Sequence, residues 1–77
     1  MVEVAAEIAG SVWKIECQLG DRVEAEQVLL IIESMKMEIP VEAPIDGVVA
    51  EILVAEGDQV SEDDVVALVD GDLVDSD

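Results

Sequence analysis

Histidine, tyrosine and phenylalanine are absent from this 77-residue chain, and Trp13 and Cys17 are its only tryptophan and cysteine. Without histidine, the chain has neither a Ser-His-Asp nor a Cys-His pair for nucleophilic catalysis, and no imidazole metal ligand. A single cysteine excludes an internal disulfide, and its place in a strand-like segment predicts a buried thiol. The sequence therefore predicts neither catalysis by this chain alone nor a bound metal.

Basic residues are scarce as well. Only three lysines and arginines stand against 20 acids, which gives a net charge of −17. Nucleic-acid binding requires cations that displace counterions from phosphates, and an anionic membrane surface repels an acidic chain. No apolar run approaches the roughly 18–20 residues of a membrane span, and Glu3 and Glu7 stand where a signal peptide is basic and apolar. We expect a cytoplasmic protein that binds neither nucleic acid nor membrane.

The residues that are present favour one small all-β domain. A chain of this length buries only about 60% of the surface that it exposes when unfolded, which leaves little room for a second domain. Hydrophobic residues make up 52% of the chain, and many of them are valine and isoleucine, which favour strands. We expect a single domain over residues 1–77, with a compact core at about 2–70 and a solvated acidic tail at 71–77.

An internal repeat divides the chain into two halves. A shift of 37 residues aligns 4–33 with 41–70, and ten of the 30 aligned positions are identical. The halves are joined by a short connector, Ser34 to Pro40, which we expect to be an exposed turn. Two quasi-equivalent four-strand halves predict a flattened eight-stranded barrel or sandwich with a pseudo-twofold axis.

Each half has the same pattern of strand and turn signals. Gly10 and Gly47 follow an alternating apolar segment, so we expect bends or turns at these glycines. The next strands are expected at about 12–17 and 48–54. A Gly-Asp turn, a short strand and a polar turn come next, and each half closes with a continuous apolar run, at 28–32 and 65–69.

The connector contains the most distinctive segment of the chain, Glu33-Ser34-Met35-Lys36-Met37-Glu38. Lys36 falls where a hairpin tip is expected, with its amine exposed on a flexible stem. The other lysine, Lys14, lies in a mid-strand segment. The two flanking methionines offer adaptable apolar surface to a partner if they are exposed, and packing beneath the hairpin is the alternative.

This segment closely resembles the attachment motif of biotinyl domains, whose usual form is Glu-Ala-Met-Lys-Met. The repeat is also similar, including the Gly-Asp-x-Val turns at 20–23 and 57–60, and the likeness spans about residues 2–70. The resemblance implies a biotin carboxyl carrier, itself non-catalytic, with biotin bound covalently to Lys36. The expected recognition residues are the other members of the motif: Glu33, Ser34, Met35, Met37 and Glu38.

The same resemblance implies three partners. A biotin protein ligase joins biotin to the Lys36 amine through an amide bond. An ATP-dependent biotin carboxylase then adds a carboxyl group to the biotin, and a carboxyltransferase passes that group to an acyl-CoA, as in fatty acid metabolism.

The chain departs from the family pattern at a few positions. Ser34 stands where alanine is commoner, Glu7 where proline is frequent and Glu26 where glycine is frequent. Some bacterial carriers insert a protruding thumb into the first half. The segments 15–28 and 52–65 have equal length, so no thumb fits here. We expect a small free-standing carrier, which the starting methionine favours, or a domain excised from a larger carboxylase subunit.

Two other functions stay open at this point. A lipoyl domain shares the fold and the lysine hairpin and serves acyl transfer in 2-oxo acid dehydrogenases, although its usual motif is Asp-Lys-Ala. A domain that accepts either cofactor belongs to the same alternative. The second alternative is an unmodified interaction or assembly module.

Overall fold

The computed structural model describes residues 1–71. This part of the chain contains eight strands and no helix, and hence no helix of the length and apolarity needed to cross a membrane. The strands are β1 (Val2–Ala5), β2 (Gly10–Ile15), β3 (Arg22–Val23), β4 (Val28–Ser34), β5 (Met37–Glu42), β6 (Gly47–Ile52), β7 (Gln59–Val60) and β8 (Val65–Gly71).

The strands form two four-stranded antiparallel sheets, in the orders β1-β8-β6-β3 and β5-β4-β2-β7. Exchanging each strand with its equivalent in the other half converts one order into the other, so each sheet contains two strands from each half. The bounds of β2, β3 and β4 shifted by 37 residues coincide with those of β6, β7 and β8. The predicted all-β architecture with two quasi-equivalent halves is confirmed.

The expectation of bends at Gly10 and Gly47 is wrong, because these glycines are the first residues of β2 and β6. A Cβ atom on Gly10 would overlap the carbonyl oxygen of Glu33, and one on Gly47 would overlap the carbonyl oxygen of Asp70. Glycine is therefore needed for the close approach of a neighbouring strand. Both strands also end two residues earlier than the pattern predicted.

Two other boundaries differ from expectation. The connector is much shorter than Ser34 to Pro40, because Ser34 ends β4 and β5 already begins at Met37. Gly71, which the sequence pattern places in the tail, belongs to β8 and pairs with Gly47. The remainder of the expected tail, 72–77, lies outside the described residues.

The core between the sheets is aliphatic, as the composition predicts. Leu29, Leu30 and Ile32 of β4 are its largest side chains and are 1% exposed or less. Each such burial stabilises the fold by about 2 kcal/mol relative to exposure. Cys17 is buried as expected, although it lies two residues beyond the end of β2. Both halves contribute to this core, so neither can bury its apolar side chains alone.

The Gly-Asp turns are equivalent in the two halves. The Asp21 carboxylate accepts a hydrogen bond from the backbone N–H of Gln18 at 2.9 Å, and the Asp58 carboxylate accepts one from the backbone N–H of Ala55 at the same distance. Gly20 has a φ of 90° in the first of these turns, a conformation that glycine adopts without a steric penalty. The turn signals predicted from the sequence are therefore confirmed.

Candidate functional site: the Lys36 hairpin

Lys36 lies in a two-residue turn that joins β4 to β5. Ser34 and Met37 pair across the end of the two strands, so only Met35 and Lys36 lie between them. Both have positive φ values, 51° and 65°, which is the pattern of a type I′ turn. That turn matches the twist of the strands but favours asparagine and glycine, and long side chains in the left-handed region are disfavoured. The backbone at Met35 and Lys36 is therefore strained, and this conformation places both residues at the tip of the hairpin.

The side chains around the tip differ in their exposure to solvent. Lys36 is exposed, Met35 is 80% exposed and Met37 is 53% exposed. The methionines therefore do not pack beneath the hairpin. Ser34 is only 8% exposed, so any effect of this residue on recognition has to be indirect, through the position of the turn.

The last two expected recognition residues are Glu33 and Glu38. They are exposed and pair directly across β4 and β5. Their neighbours in β4, Ile32 and Ser34, are buried, and side chains alternate between the two faces of a strand. The carboxylates therefore lie on the outer surface of the sheet, beside the turn, and give the tip an acidic flank.

Lys14 is in a different setting. It lies within β2, where it pairs with Ile31 in the middle of the same sheet. Neither a turn nor flanking methionines accompany it. The structure thus distinguishes the two lysines in the way that the sequence predicted.

Other reactive groups in the described residues lie away from the tip. Burial raises the pKa of the Cys17 thiol, and the nearby Asp21 carboxylate raises it further, which makes the thiol a poor nucleophile at neutral pH. A shallow cleft of about 290 Å³ is lined mainly by acids and small apolar residues of the β1 and β5 region, including Glu7, Glu26 and Glu42. Within residues 1–71, no group of three or more acids or thiols is arranged to hold a metal ion. The exposed Lys36 amine is therefore the group best placed for chemistry.

Comparison with known proteins agrees with this geometry. The protein-family model described as "Biotin-requiring enzyme" matches residues 1–69. The biotin/lipoyl attachment protein of Bacillus subtilis is 46% identical over 63 residues, which cover 82% of this chain and 86% of that protein. The biotinylated protein TB7.3 homolog of Mycobacterium leprae is 40% identical over 67 residues, covering 87% of this chain and 94% of that protein.

This chain belongs to the biotinyl domain family. The crystal structure of Kluyveromyces lactis urea carboxylase contains a similar fold, with a TM-score of 0.85 and 40% identity, over 88% of this chain and 6% of that enzyme. The predictions of a biotinyl domain, of biotin as the cofactor and of a non-catalytic carrier are thereby confirmed.

Sequence reasoning missed two features of the site. One is the left-handed backbone of Met35 and Lys36, because neither residue type signals a type I′ turn. The other is an irregularity in β2 between Val12 and Lys14, which leaves Trp13 without a partner in β4. Val12 and Lys14 are two positions apart along β2, whereas their partners Ile32 and Ile31 are adjacent in β4. This difference is visible only once the strand pairing is known.

Proposed function

We propose that this protein is a biotin carboxyl carrier in which Lys36 holds biotin by an amide bond. The observation that supports this most directly is the two-residue turn, which displays the amine between two exposed methionines at the tip of a hairpin. The rest of the described chain is folded into two packed sheets, so it does not obstruct the entry of Lys36 into an enzyme. The acidic surface also resists nonspecific association.

Attachment needs little from this chain besides presentation of a nucleophile. The neutral Lys36 amine attacks the activated carboxyl carbon of biotin, a C–N bond forms, the leaving group departs with its electron pair and the amine proton passes to solvent or a ligase base. The turn places the backbone of Lys36 at the end of the hairpin, and the long flexible side chain supplies the remaining reach. Once bound, biotin supplies a ring nitrogen that can carry a carboxyl group.

The partners of such a carrier follow from the proposal. A biotin protein ligase would modify Lys36, and a biotin carboxylase and a carboxyltransferase with an acyl-CoA acceptor would use the product. A biotin tethered to this protein can be presented first to one enzyme and then to the other, and tethering raises its effective concentration at each active site. The single cysteine forms no disulfide, which suits a reducing cytoplasm.

One relative favours a second candidate. The Bacillus subtilis protein is described as a biotin/lipoyl attachment protein, so we also consider lipoyl attachment at the same lysine. The amide chemistry is the same, and the turn presents the amine equally to either acid. The residues around Lys36 then decide which ligase acts.

Intact mass of the protein purified from its native host tests the proposal. We expect a biotin-sized increment that peptide mapping places on Lys36, and we expect Lys36→Arg to abolish it because a guanidinium is a poor nucleophile. Lys14→Arg is the matched control and should remain fully modified. A lipoyl-sized increment would select the second candidate, and biotin on Lys14 or no increment would contradict both.

A further inference from the structure

The internal repeat gives each surface of this fold a counterpart with the same backbone. On the outer surface of the sheet that contains the Lys36 hairpin, four residues form what we call the Trp13 face. These are Trp13, Lys14, Ile31 and Pro40, and their counterparts on the other sheet are Ala50, Glu51, Leu68 and Glu3.

Strand register brings the members of the Trp13 face together. Lys14 in β2 and Pro40 in β5 pair with Ile31 from opposite sides. Trp13 is the extra residue of the irregularity in β2 and is 48% exposed. A bulge of this kind re-aims a side chain. Here it leaves an indole half-exposed beside the row Lys14-Ile31-Pro40.

The counterpart face repeats the geometry with different chemistry. Glu51 and Glu3 flank Leu68 in the same register, and Ala50 is the extra residue. Two carboxylates therefore replace a lysine and a proline, and a methyl group replaces an indole. The backbone thus accepts acids and a small side chain at these positions. The Trp13 face is therefore not required by the fold.

We infer that the Trp13 face is the docking surface for a biotin protein ligase, an inference that rests on the proposed function. The ligase acts before any cofactor is bound, so it has to recognise protein surface, whereas later enzymes also bind the biotin itself. Trp13 lies between the β2 positions that pair with Ile32 and Ile31, two to three residues and about 7–10 Å along the strand from Ser34. Glu33 and Glu38 fill the space between the face and the turn.

This arrangement defines the chemistry of the ligase surface. An apolar recess of the ligase receives the Trp13 indole, since tryptophan is enriched among the residues that dominate binding energy at interfaces. Basic side chains of the ligase lie against Glu33 and Glu38, and a carboxylate lies against Lys14. The docked ligase then covers Lys14, which leaves Lys36 as the accessible amine.

Steady-state ligation kinetics with the purified ligase and the unmodified full chain test the inference. Trp13→Ala should raise KM for the carrier about tenfold with kcat within twofold, and Trp13→Phe should recover part of that loss. Leu19→Ala is the matched control, because Leu19 is 66% exposed but lies in the turn after β2. It should leave both constants unchanged. Circular dichroism melting verifies that each variant is folded.

Three results would overturn the inference. An unchanged KM for folded Trp13→Ala would remove the docking role while leaving biotin attachment at Lys36 intact. Normal ligation with slowed carboxyl transfer would assign the face to a later enzyme. A wild-type chain that the ligase does not modify would overturn the proposed function together with this inference.

Discussion

Glu33 and Glu38 lie directly opposite each other across β4 and β5, on the outer surface beside the Lys36 turn. Like charges in directly opposed positions destabilise a sheet. The pair also adds to the repulsion within a chain of net charge −17. Stability alone would not select this arrangement, so we interpret the pair as part of the surface that partner enzymes recognise.

Removal of one charge of the pair should stabilise the protein. We expect Glu38→Gln to increase the free energy of unfolding by about 0.5 kcal/mol, because the repulsion with Glu33 is lost. Glu42→Gln is the control, since Glu42 lies in the same strand but opposite Val28. Urea denaturation at low salt measures both variants. Equal gains in both would show that total charge matters and the facing pair does not.

The two lysines should respond in opposite directions to the same substitution. Asparagine tolerates the left-handed backbone of position 36 better than lysine does, so Lys36→Asn should stabilise by about 0.5–1 kcal/mol while it abolishes modification. Lys14→Asn places a poor strand former within β2 and should destabilise by up to about 1 kcal/mol. Denaturant midpoints test the pair, and a destabilised Lys36→Asn would argue against strain in the turn.

Gly10 should tolerate no side chain. Gly10→Ala places a methyl group against the Glu33 carbonyl oxygen and the Ile32 side chain, so we expect a loss of about 1–3 kcal/mol. Ser11→Ala, at the next position of β2, should change stability by less than about 0.5 kcal/mol. Because Glu33 lies near the turn, hydrogen exchange of the hairpin amides should also increase in Gly10→Ala. A Gly10→Ala variant as stable as the wild type would show that β2 and β4 separate easily.

Stability should fall at alkaline pH because of Cys17. Burial raises the pKa of this thiol in the folded state, so the folded protein holds the thiol proton more tightly than the unfolded chain does. The stabilisation is complete below the unfolded pKa of about 8.5 and is lost as the pH rises through the folded pKa. The chain has no tyrosine, so few other groups titrate there. Urea midpoints at pH 7 to 10 should decline less in Cys17→Ala than in the wild type.

The sequence predicts the repeat, the strand equivalences and the position of Lys36 because these depend on local pattern and residue spacing. It does not predict where β5 begins. The expected connector extends to Pro40, yet this proline lies within β5, which is an edge strand, where proline is tolerated. The glycines at 10 and 47 were likewise misassigned, because their role depends on a strand that is distant in sequence. Boundaries set by tertiary contact are therefore the part that pattern alone misses.

The methionines beside Lys36 should determine which enzymes accept the tip. Met35 and Met37 are exposed on both sides of the lysine, and loss of such apolar contact costs about 1–3 kcal/mol if it is buried in a complex. We expect Met35→Thr with Met37→Thr to leave the fold intact and to lower carboxylation or carboxyl transfer at least as much as ligation, because the same tip enters all of these sites.

Changing the methionines to lipoyl-type flanks should change the ligase instead. Met35→Asp with Met37→Ala converts the motif to Asp-Lys-Ala, so we expect faster modification by a lipoate ligase and slower modification by a biotin ligase. Initial rates with each ligase, and carboxylase turnover on fully biotinylated variants, separate the two effects. Leu19→Thr is a suitable control, because Leu19 is also exposed, at 66%, but lies in the turn after β2. Wild-type rates for both double variants in every assay would show that specificity lies outside the methionines, and the Trp13 face would then be the next surface to test.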